Sequence, residues 1–176
     1  IWQENNNTGN STVISIGELE IFNSTTPTVN GGPIPSGALI GVFYIDENSN
    51  YILGGATVYS DDIFVIVAQG DDNLTAEKDG FNHGEVFSFF LRICDDGDCW
   101  DDDGNGILDS GEIDPNGIDY ISIDAEMVEI GVNIPDLNTT TFSSFNGIAA
   151  LKSANFLEYT NEGCTDSEAC NYNAEA

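Results

Sequence analysis

Strand-length runs of Val, Ile, Phe and Tyr recur along this chain, and clusters of Gly, Pro, Asn and Asp separate them. In the segment DYISIDAEM, Tyr120 and Ser122 fall on one face of an extended strand, whereas Ile121 and Ile123 fall on the other. This two-residue period is typical of a β-strand. A helical period is arguable only for GIAALKSANF, residues 147–156. The pattern therefore predicts strands over 11–22, 38–46, 51–60, 62–70, 85–93, 119–131 and 140–151.

The spacing of these strands indicates the fold class. Short connections between them predict an all-β protein built as an antiparallel β-sandwich of about seven or more strands. An open barrel is the alternative arrangement of the same strands. We assign residues 1–159 to this β-sandwich module. Residues 160–176 contain few core-forming side chains, and we expect a short cysteine-stapled appendage or the start of a following module.

The chain is strongly acidic, with 31 Asp and Glu residues against 3 Lys and Arg residues and a formal net charge of −28. With one partner each, Lys78, Arg92 and Lys152 pair only three carboxylates, so the others must face water or a metal ion. Such a charge argues against binding to nucleic acid or to an anionic membrane. The longest apolar runs, such as IFVIV at 63–67, have the length of a strand and predict no membrane insertion.

The stretch DDDGNGILDSGE at residues 101–112 concentrates this acidity, with five carboxylates, three glycines and no basic residue. An EF-hand-type loop binds Ca²⁺ through positions 1, 3, 5, 7, 9 and 12, with glycine at position 6 and a bidentate Glu at position 12. Counting from Asp101 fills every position with the expected residue type, so one tight curl of backbone can direct alternate oxygens at a single ion. The predicted calcium ligands are Asp101, Asp103, Asn105, the carbonyl of Ile107, Asp109 and Glu112, with Gly106 at the turn.

The residues that flank this stretch differ from those of an EF-hand. FFLRICDDGDCW before it has the composition of a strand and a turn, and IDPNGIDYISI after it contains Pro115 and then a strand. We therefore predict an EF-hand-like calcium loop without its helices, inserted between two strands; a solvated Asx-rich loop is the alternative. DENSN at 46–50 is more simply a hairpin turn. Two further ion sites are weaker hypotheses: one with Asp71, Asp72 and Asp79, and one with Asp95, Asp96, Asp98, Asp114 and Asp119.

The four cysteines fall in two close pairs, in CDDGDC and CTDSEAC. Four cysteines allow three connectivities, of which the short spacing favours Cys94–Cys99 and Cys164–Cys170. A zinc site is the weaker alternative, because His83 is the only histidine and lies apart from both pairs. Disulfides imply an oxidising, extracellular compartment.

Candidate chemistry beyond calcium is sparse. With one histidine, the spacing supports no Ser-His-Asp arrangement, and a carboxylate pair chosen from 31 acids carries little information. We therefore expect no enzyme activity. Exposed aromatic rings that stack on sugars would indicate a carbohydrate-binding module instead. The aromatic candidates are Trp2, Trp100, Tyr44, Tyr51 and Tyr59.

Several longer segments resemble a β-rich module of very long secreted or surface proteins of marine bacteria that carry C-terminal sorting signals. They are NNNTGNSTVISIG, IPSGALIGVFYIDENSNYILGGATVY, GDDNLTAEKDGFNHGEVFSF and FNGIAALKSA. The ending GCTDSEACNYNAEA resembles a short cysteine motif that recurs beside such modules. The chain departs from the pattern at Leu53, where the module has a cysteine, and it lacks the third cysteine of the motif.

The resemblance implies a non-catalytic repeat unit of an adhesin or extracellular fibre, whose partners are neighbouring modules or copies of the same chain. Together with the acidic loop, it leads us to expect a calcium-stabilised structural or adhesive module at the cell surface. The alternative is a carbohydrate-binding module of a secreted polysaccharide-degrading enzyme, with glycans as partners.

Overall fold

The computed structural model describes residues 11–71, 78–95, 99, 117–129, 141 and 147–159. These residues form β-strands and one short 3₁₀ turn at Glu20–Phe22, without an α-helix, which confirms an all-β chain for this part. The strands, numbered in chain order, are β1 (Ser11–Ile16), β2 (Thr28–Val29), β3 (Gly32–Pro33), β4 (Leu39–Ile45), β5 (Tyr51–Val58), β6 (Phe64–Gln69), β7 (Ser88–Ile93), β8 (Ile118–Ser122), β9 (Glu126–Glu129), β10 (Gly147–Ser153) and β11 (Asn155–Glu158).

The described strands form two sheets, an arrangement consistent with a β-sandwich. The smaller sheet has four strands in the order β6-β1-β10-β9, and the larger has seven in the order β3-β2-β11-β8-β7-β4-β5. Each sheet contains a parallel pair, β1 with β10 and β11 with β2. The prediction of purely antiparallel sheets is therefore wrong. The parallel pairs join strands that lie far apart in sequence, and local spacing does not reveal such pairing.

The main hydrophobic core lies between the two sheets. The smaller sheet contributes Ile14, Ile66 and Leu151, and the larger contributes Val42 and Phe89, all of them 0–1% exposed. Residues of one strand reach this core at every second position because successive side chains point to opposite faces of a sheet. Alternation in the sequence was therefore a valid signal for the strands of the smaller sheet.

The larger sheet carries a second hydrophobic cluster on its outer face. Leu39, Phe43 and Phe90 are fully buried there and pack with Cys94 and Cys99. As a result β4 and β7 are buried on both faces, and their sequences are nearly continuous apolar runs without clear alternation.

The predicted strand 119–131 is two strands that belong to different sheets. The chain leaves the larger sheet after Ser122, exposes Ile123 to 80%, and enters the smaller sheet at Glu126. β10 and β11 make the return crossing at Ala154, beside a register shift between Leu151 and Ser153. Strands that switch sheets at a bend or bulge close the corner of a sandwich.

One predicted strand is shorter in the structure, and the helical alternative for another segment is excluded. The predicted strand 11–22 stops at Ile16, because Gly17 takes a φ of +130° and the chain turns away from the sheet. The segment GIAALKSANF at 147–156 is extended in β10 and β11, which excludes the helical interpretation.

Candidate functional site

The twelve-residue acidic stretch lies in the connection between β7 and β8. Its predicted ligands lie outside the described residues, so their assignment stays a prediction. They are Asp101, Asp103, Asn105, Ile107, Asp109 and Glu112. What the structure describes is the base of the connection, which we call the stem and define as residues 92–94, 99 and 117–119.

Strand pairing brings the two ends of the connection together. Ile93 at the end of β7 is the partner of Ile118 at the start of β8, and Arg92 is the partner of Asp119. The connection therefore leaves and re-enters the larger sheet on adjacent strands, about 5 Å apart. A closed base of this kind is compatible with a loop that curls around a single ion.

A disulfide between Cys94 and Cys99 stabilises the first half of the stem, as the cysteine spacing predicted. Both cysteines are buried, with 6% and 0% of their surface exposed. The Cys99 N–H donates to the Gly37 carbonyl at 3.4 Å, and its Sγ lies 3.3 Å from the Arg92 carbonyl oxygen. The second predicted disulfide, Cys164–Cys170, lies outside the described residues, as does the whole appendage 160–176.

The second half of the stem contains a bidentate ion pair that the sequence did not reveal. Arg92 Nε donates to Asp119 Oδ1 at 2.8 Å, and its Nη2 donates to Oδ2 at 2.9 Å. The side chains are only 11% and 18% exposed, so water screens this attraction weakly. Asp119 was a candidate for a second ion site, but both of its oxygens are engaged by Arg92. Of the other candidates there, Asp95 is exposed at the surface and Asp96, Asp98 and Asp114 lie outside the described residues.

Gly117 is required where the connection returns to the sheet. A Cβ at this position would overlap the Arg92 side chain and Cys94 Sγ. The absence of a side chain thus lets the returning backbone lie directly against the ion pair and the disulfide. The sequence showed a glycine before a strand, but not what it must fit against.

Tyr159 and its neighbouring aromatic rings lie beside the stem. Tyr159 donates its backbone N–H to the Asp119 carbonyl at 2.8 Å, and its ring lies edge-on to Phe90 at 5.3 Å between centroids. Burial raises the pKa of the Tyr159 hydroxyl, and the neighbouring Tyr51 and Asp119 raise it further. The C-terminal end of the described chain therefore packs against the stem.

Two of the three residues of the weaker candidate ion site in the 70–85 segment are described, and a hydrogen bond joins them. Asp71 Oδ1 accepts the Asp79 N–H at 2.9 Å, whereas Asp72 lies outside the described residues. Lys78 Nζ donates to Glu85 Oε1 at 2.5 Å and lies 4.8 Å from the centre of the Tyr44 ring. These contacts stabilise the described parts of this segment on either side of residues 72–77.

All three basic side chains of the chain are described, and each is paired with a carboxylate. Lys78 pairs with Glu85 and Arg92 with Asp119, and Lys152 Nζ lies 2.7 Å from Glu126 Oε2. The formal net charge of −28 shows how far carboxylates outnumber these three basic side chains.

The segment 46–50 is a hairpin turn between β4 and β5, as predicted. Asp46 Oδ1 accepts the backbone N–H groups of Asn48 and Asn50 at 2.8 Å each. The hydrogen bond from the Asn50 side chain, followed by that from its backbone, lowers the pKa of the Asp46 carboxyl. Hydrogen bonds to the ionised form favour that form, so this carboxylate has a local role in the turn.

The three described aromatic candidates for sugar stacking differ in their burial and ring contacts. Tyr44 and Tyr59 are each 2% exposed and belong to the main core, so their rings are not available to a ligand. Tyr51 packs edge-on against Phe90 at 4.9 Å between centroids. Trp2 and Trp100 lie outside the described residues.

Within the described ranges, no group of three or more His, Cys, Asp or Glu side chains is placed to hold a metal ion. The same residues include no helix with the length and apolarity needed to span a membrane. Comparison of the chain with protein-family models, curated proteins and solved structures finds no match.

Proposed function

We propose that this chain is a non-catalytic, calcium-stabilised structural module of an extracellular surface or filament protein. The observation that carries the proposal is the commitment of all three basic side chains to ion pairs in a chain of formal charge −28. With so few basic side chains, cations from solution are the main means of reducing the repulsion among the other carboxylates.

Calcium is the cation that suits the acidic stretch. Ca²⁺ prefers six to eight hard oxygen ligands, and carboxylate, amide and carbonyl oxygens at the spacing of residues 101–112 match that preference. These residues would supply the ion's ligands when it binds. The paired strand ends and the Cys94–Cys99 disulfide support this proposal, because they fix both ends of the connection on the sheet.

An extracellular location agrees with the same features. Disulfides persist in oxidising compartments, and extracellular calcium modules bind with a Kd on the order of 10⁻⁴–10⁻³ M. Such an affinity would leave the loop empty where calcium is scarce and filled outside the cell. The role of the ion would be mechanical: it neutralises repulsion within the connection and stiffens it for structural spacing, adhesion or assembly with neighbouring modules.

Thermal melting with and without calcium tests this proposal. For a Kd near 10⁻⁴ M, about 10 mM Ca²⁺ should add about 2.7 kcal/mol of stability, which corresponds to a rise in Tm of about 5–10 °C. Asp101→Ala and Glu112→Ala should each remove this rise, because each deletes one predicted ligand. Asp61→Ala, which deletes an exposed carboxylate elsewhere, should keep it.

Matched ionic strength separates specific binding from screening. Sodium chloride at the ionic strength of the calcium buffer should reproduce little of the rise, whereas isothermal titration should give a saturable calcium site. A wild-type Tm that calcium does not raise would refute the proposal. So would an undiminished rise in the Asp101→Ala and Glu112→Ala variants.

A further inference from the structure

Part of the outer face of the smaller sheet is apolar, although it points away from the core. In β1 and β6 the inward side chains include Ile14, Ile16 and Ile66, which are fully buried between the sheets. The alternate positions must therefore point outward. They carry Val13, Val65 and Val67, and Ile148 on β10 lies at the same level. We call the surface formed by Val13, Val65, Val67 and Ile148 the valine face.

These four side chains are neighbours across three strands. Val13 on the central strand β1 is the register partner of Val67 on one side and of Ile148 on the other. Ser15, the next outward residue of β1, is the partner of Val65. Partners directly opposite one another place their Cβ atoms about 5 Å apart, so the valine face is continuous.

The valine face is substantially exposed to solvent. The exposed fractions are 46% for Val65, 39% for Val67 and 45% for Ile148, and Val13 is half-buried between them. Ile63, which directly precedes β6, extends the apolar surface with 55% exposure. Single exposed hydrophobic residues are normal, whereas a contiguous group on one sheet face is a candidate contact surface.

The charge distribution indicates which partner fits. The other outward residues of β1 and β6 are Ser11, Ser15 and Gln69, so no described outward side chain of these two strands is charged. On β10 the first charge is Lys152, which pairs with Glu126. In a chain of net charge −28, two copies can approach here with less repulsion than at a face that carries carboxylates. A basic partner would be attracted to the acidic surface elsewhere.

We infer that the valine face is a contact surface between copies of this chain, packed sheet against sheet. Stacked sheets lie about 10 Å apart. A two-fold axis near Val13 would place the valine face of one copy against the valine face of the other. The inference concerns a different surface from the calcium loop and does not depend on calcium binding.

The size of the surface sets the expected strength. Three to four strands about 4.8 Å apart and about 20 Å long give roughly 300 Å² per copy, well below the roughly 800 Å² per partner of a standard interface. Association of isolated chains should therefore be weak, and it would become effective where many copies are held together.

Sedimentation equilibrium over a range of chain concentrations and salt tests the inference. Association should strengthen in sodium sulfate, because salt screens the repulsion of two acidic chains and sulfate favours apolar burial. Val67→Asp should weaken association at least tenfold, and Val67→Thr should weaken it less while preserving a β-branched side chain in the strand. Ile123→Asp places the same charge at a side chain that is 80% exposed away from the valine face, and it should leave association unchanged.

Any one of three other results would overturn the inference. A wild-type chain that stays monomeric at about millimolar concentration in sulfate excludes contact between copies of this strength. Equal weakening by Val67→Asp and Ile123→Asp shows that charge, and not this surface, controls association. A Val67→Asp variant that loses thermal stability without any change in association shows that the face is covered from within the chain.

Discussion

At the scale of residues, two ion pairs of this chain differ in a way that decides their contribution to stability. The Arg92–Asp119 pair is bidentate and 11% and 18% exposed, whereas the Lys152–Glu126 pair is 38% and 61% exposed. Removing one partner of a buried pair leaves an uncompensated charge out of water. An exposed pair loses little, because water solvates the remaining charge.

We predict that Asp119→Asn will lower the free energy of unfolding by about 2–3 kcal/mol, somewhat less than for a fully buried pair. The substitution keeps the shape of the side chain but leaves the Arg92 guanidinium charge without its anion. Urea denaturation monitored by circular dichroism measures the change.

Glu126→Gln is the matched control, because it removes the anion of the exposed pair. It should change the free energy of unfolding by about 0.5 kcal/mol or less. Equal effects of the two substitutions would contradict the view that burial of Arg92 makes its pair important.

At the scale of elements, the two sheets meet closely where β5 packs against β6. A Cβ on Gly55 would overlap the carbonyl of Val67, which is backbone and has little room to move. Gly54 faces the buried ring of Phe81 with equally little space. Consecutive glycines in β5 therefore allow the edge of the larger sheet to approach the edge of the smaller one.

Gly55→Ala should accordingly destabilise the chain by about 1–3 kcal/mol, the usual cost of forcing an extra group into a packed interior. Gly32→Ala is the control in β3, where the nearest atom to an added Cβ is the Val29 carbonyl oxygen at an ordinary 3.5 Å. Thermal melts of both variants make the comparison. A neutral Gly55→Ala would show that β5 and β6 can separate freely.

At the scale of the whole molecule, the dominant property is unbalanced negative charge. The net charge of −28 is spread over 176 residues, and each Lys and Arg already has a carboxylate partner. Folding concentrates these charges in a smaller volume, so electrostatic repulsion opposes the compact state. Screening shortens the range of this repulsion from about 30 Å at 0.01 M salt to about 3 Å at 1 M.

We therefore predict that Tm will rise by roughly 5–10 °C between 0.01 M and 1 M sodium chloride, as expected for a few kcal/mol in a chain of this size. Differential scanning calorimetry at two chain concentrations measures this rise and separates it from self-association. The Asp101→Ala variant should show the same dependence on sodium chloride, because screening needs no specific ligand. A Tm that falls with salt would mean that attractive ion pairs, and not repulsion, dominate the folded state.

Much of the local structure could be predicted from neighbouring residues alone. The all-β class, most of the strand positions, the DENSN turn and the Cys94–Cys99 disulfide all follow from short-range patterns, and the described residues confirm them. Alternation, turn chemistry and close cysteines act over a few residues, so the order of the sequence contains them directly. The calcium ligands at 101–112 stay a prediction of the same local kind.

The sequence by itself thus determined the local extended structure, the turns and the excess of acidic charge. Only the tertiary structure decided that each sheet contains both parallel and antiparallel strand pairs and that Arg92 pairs with Asp119. It also decided that β4 and β7 are buried on both faces. It also decided that Val13 lies between Val67 and Ile148, which are distant in the chain. The physical reason is that strand partners and ion pairs form between segments many residues apart, where the energies of whole sheets, and not local preferences, select the contact.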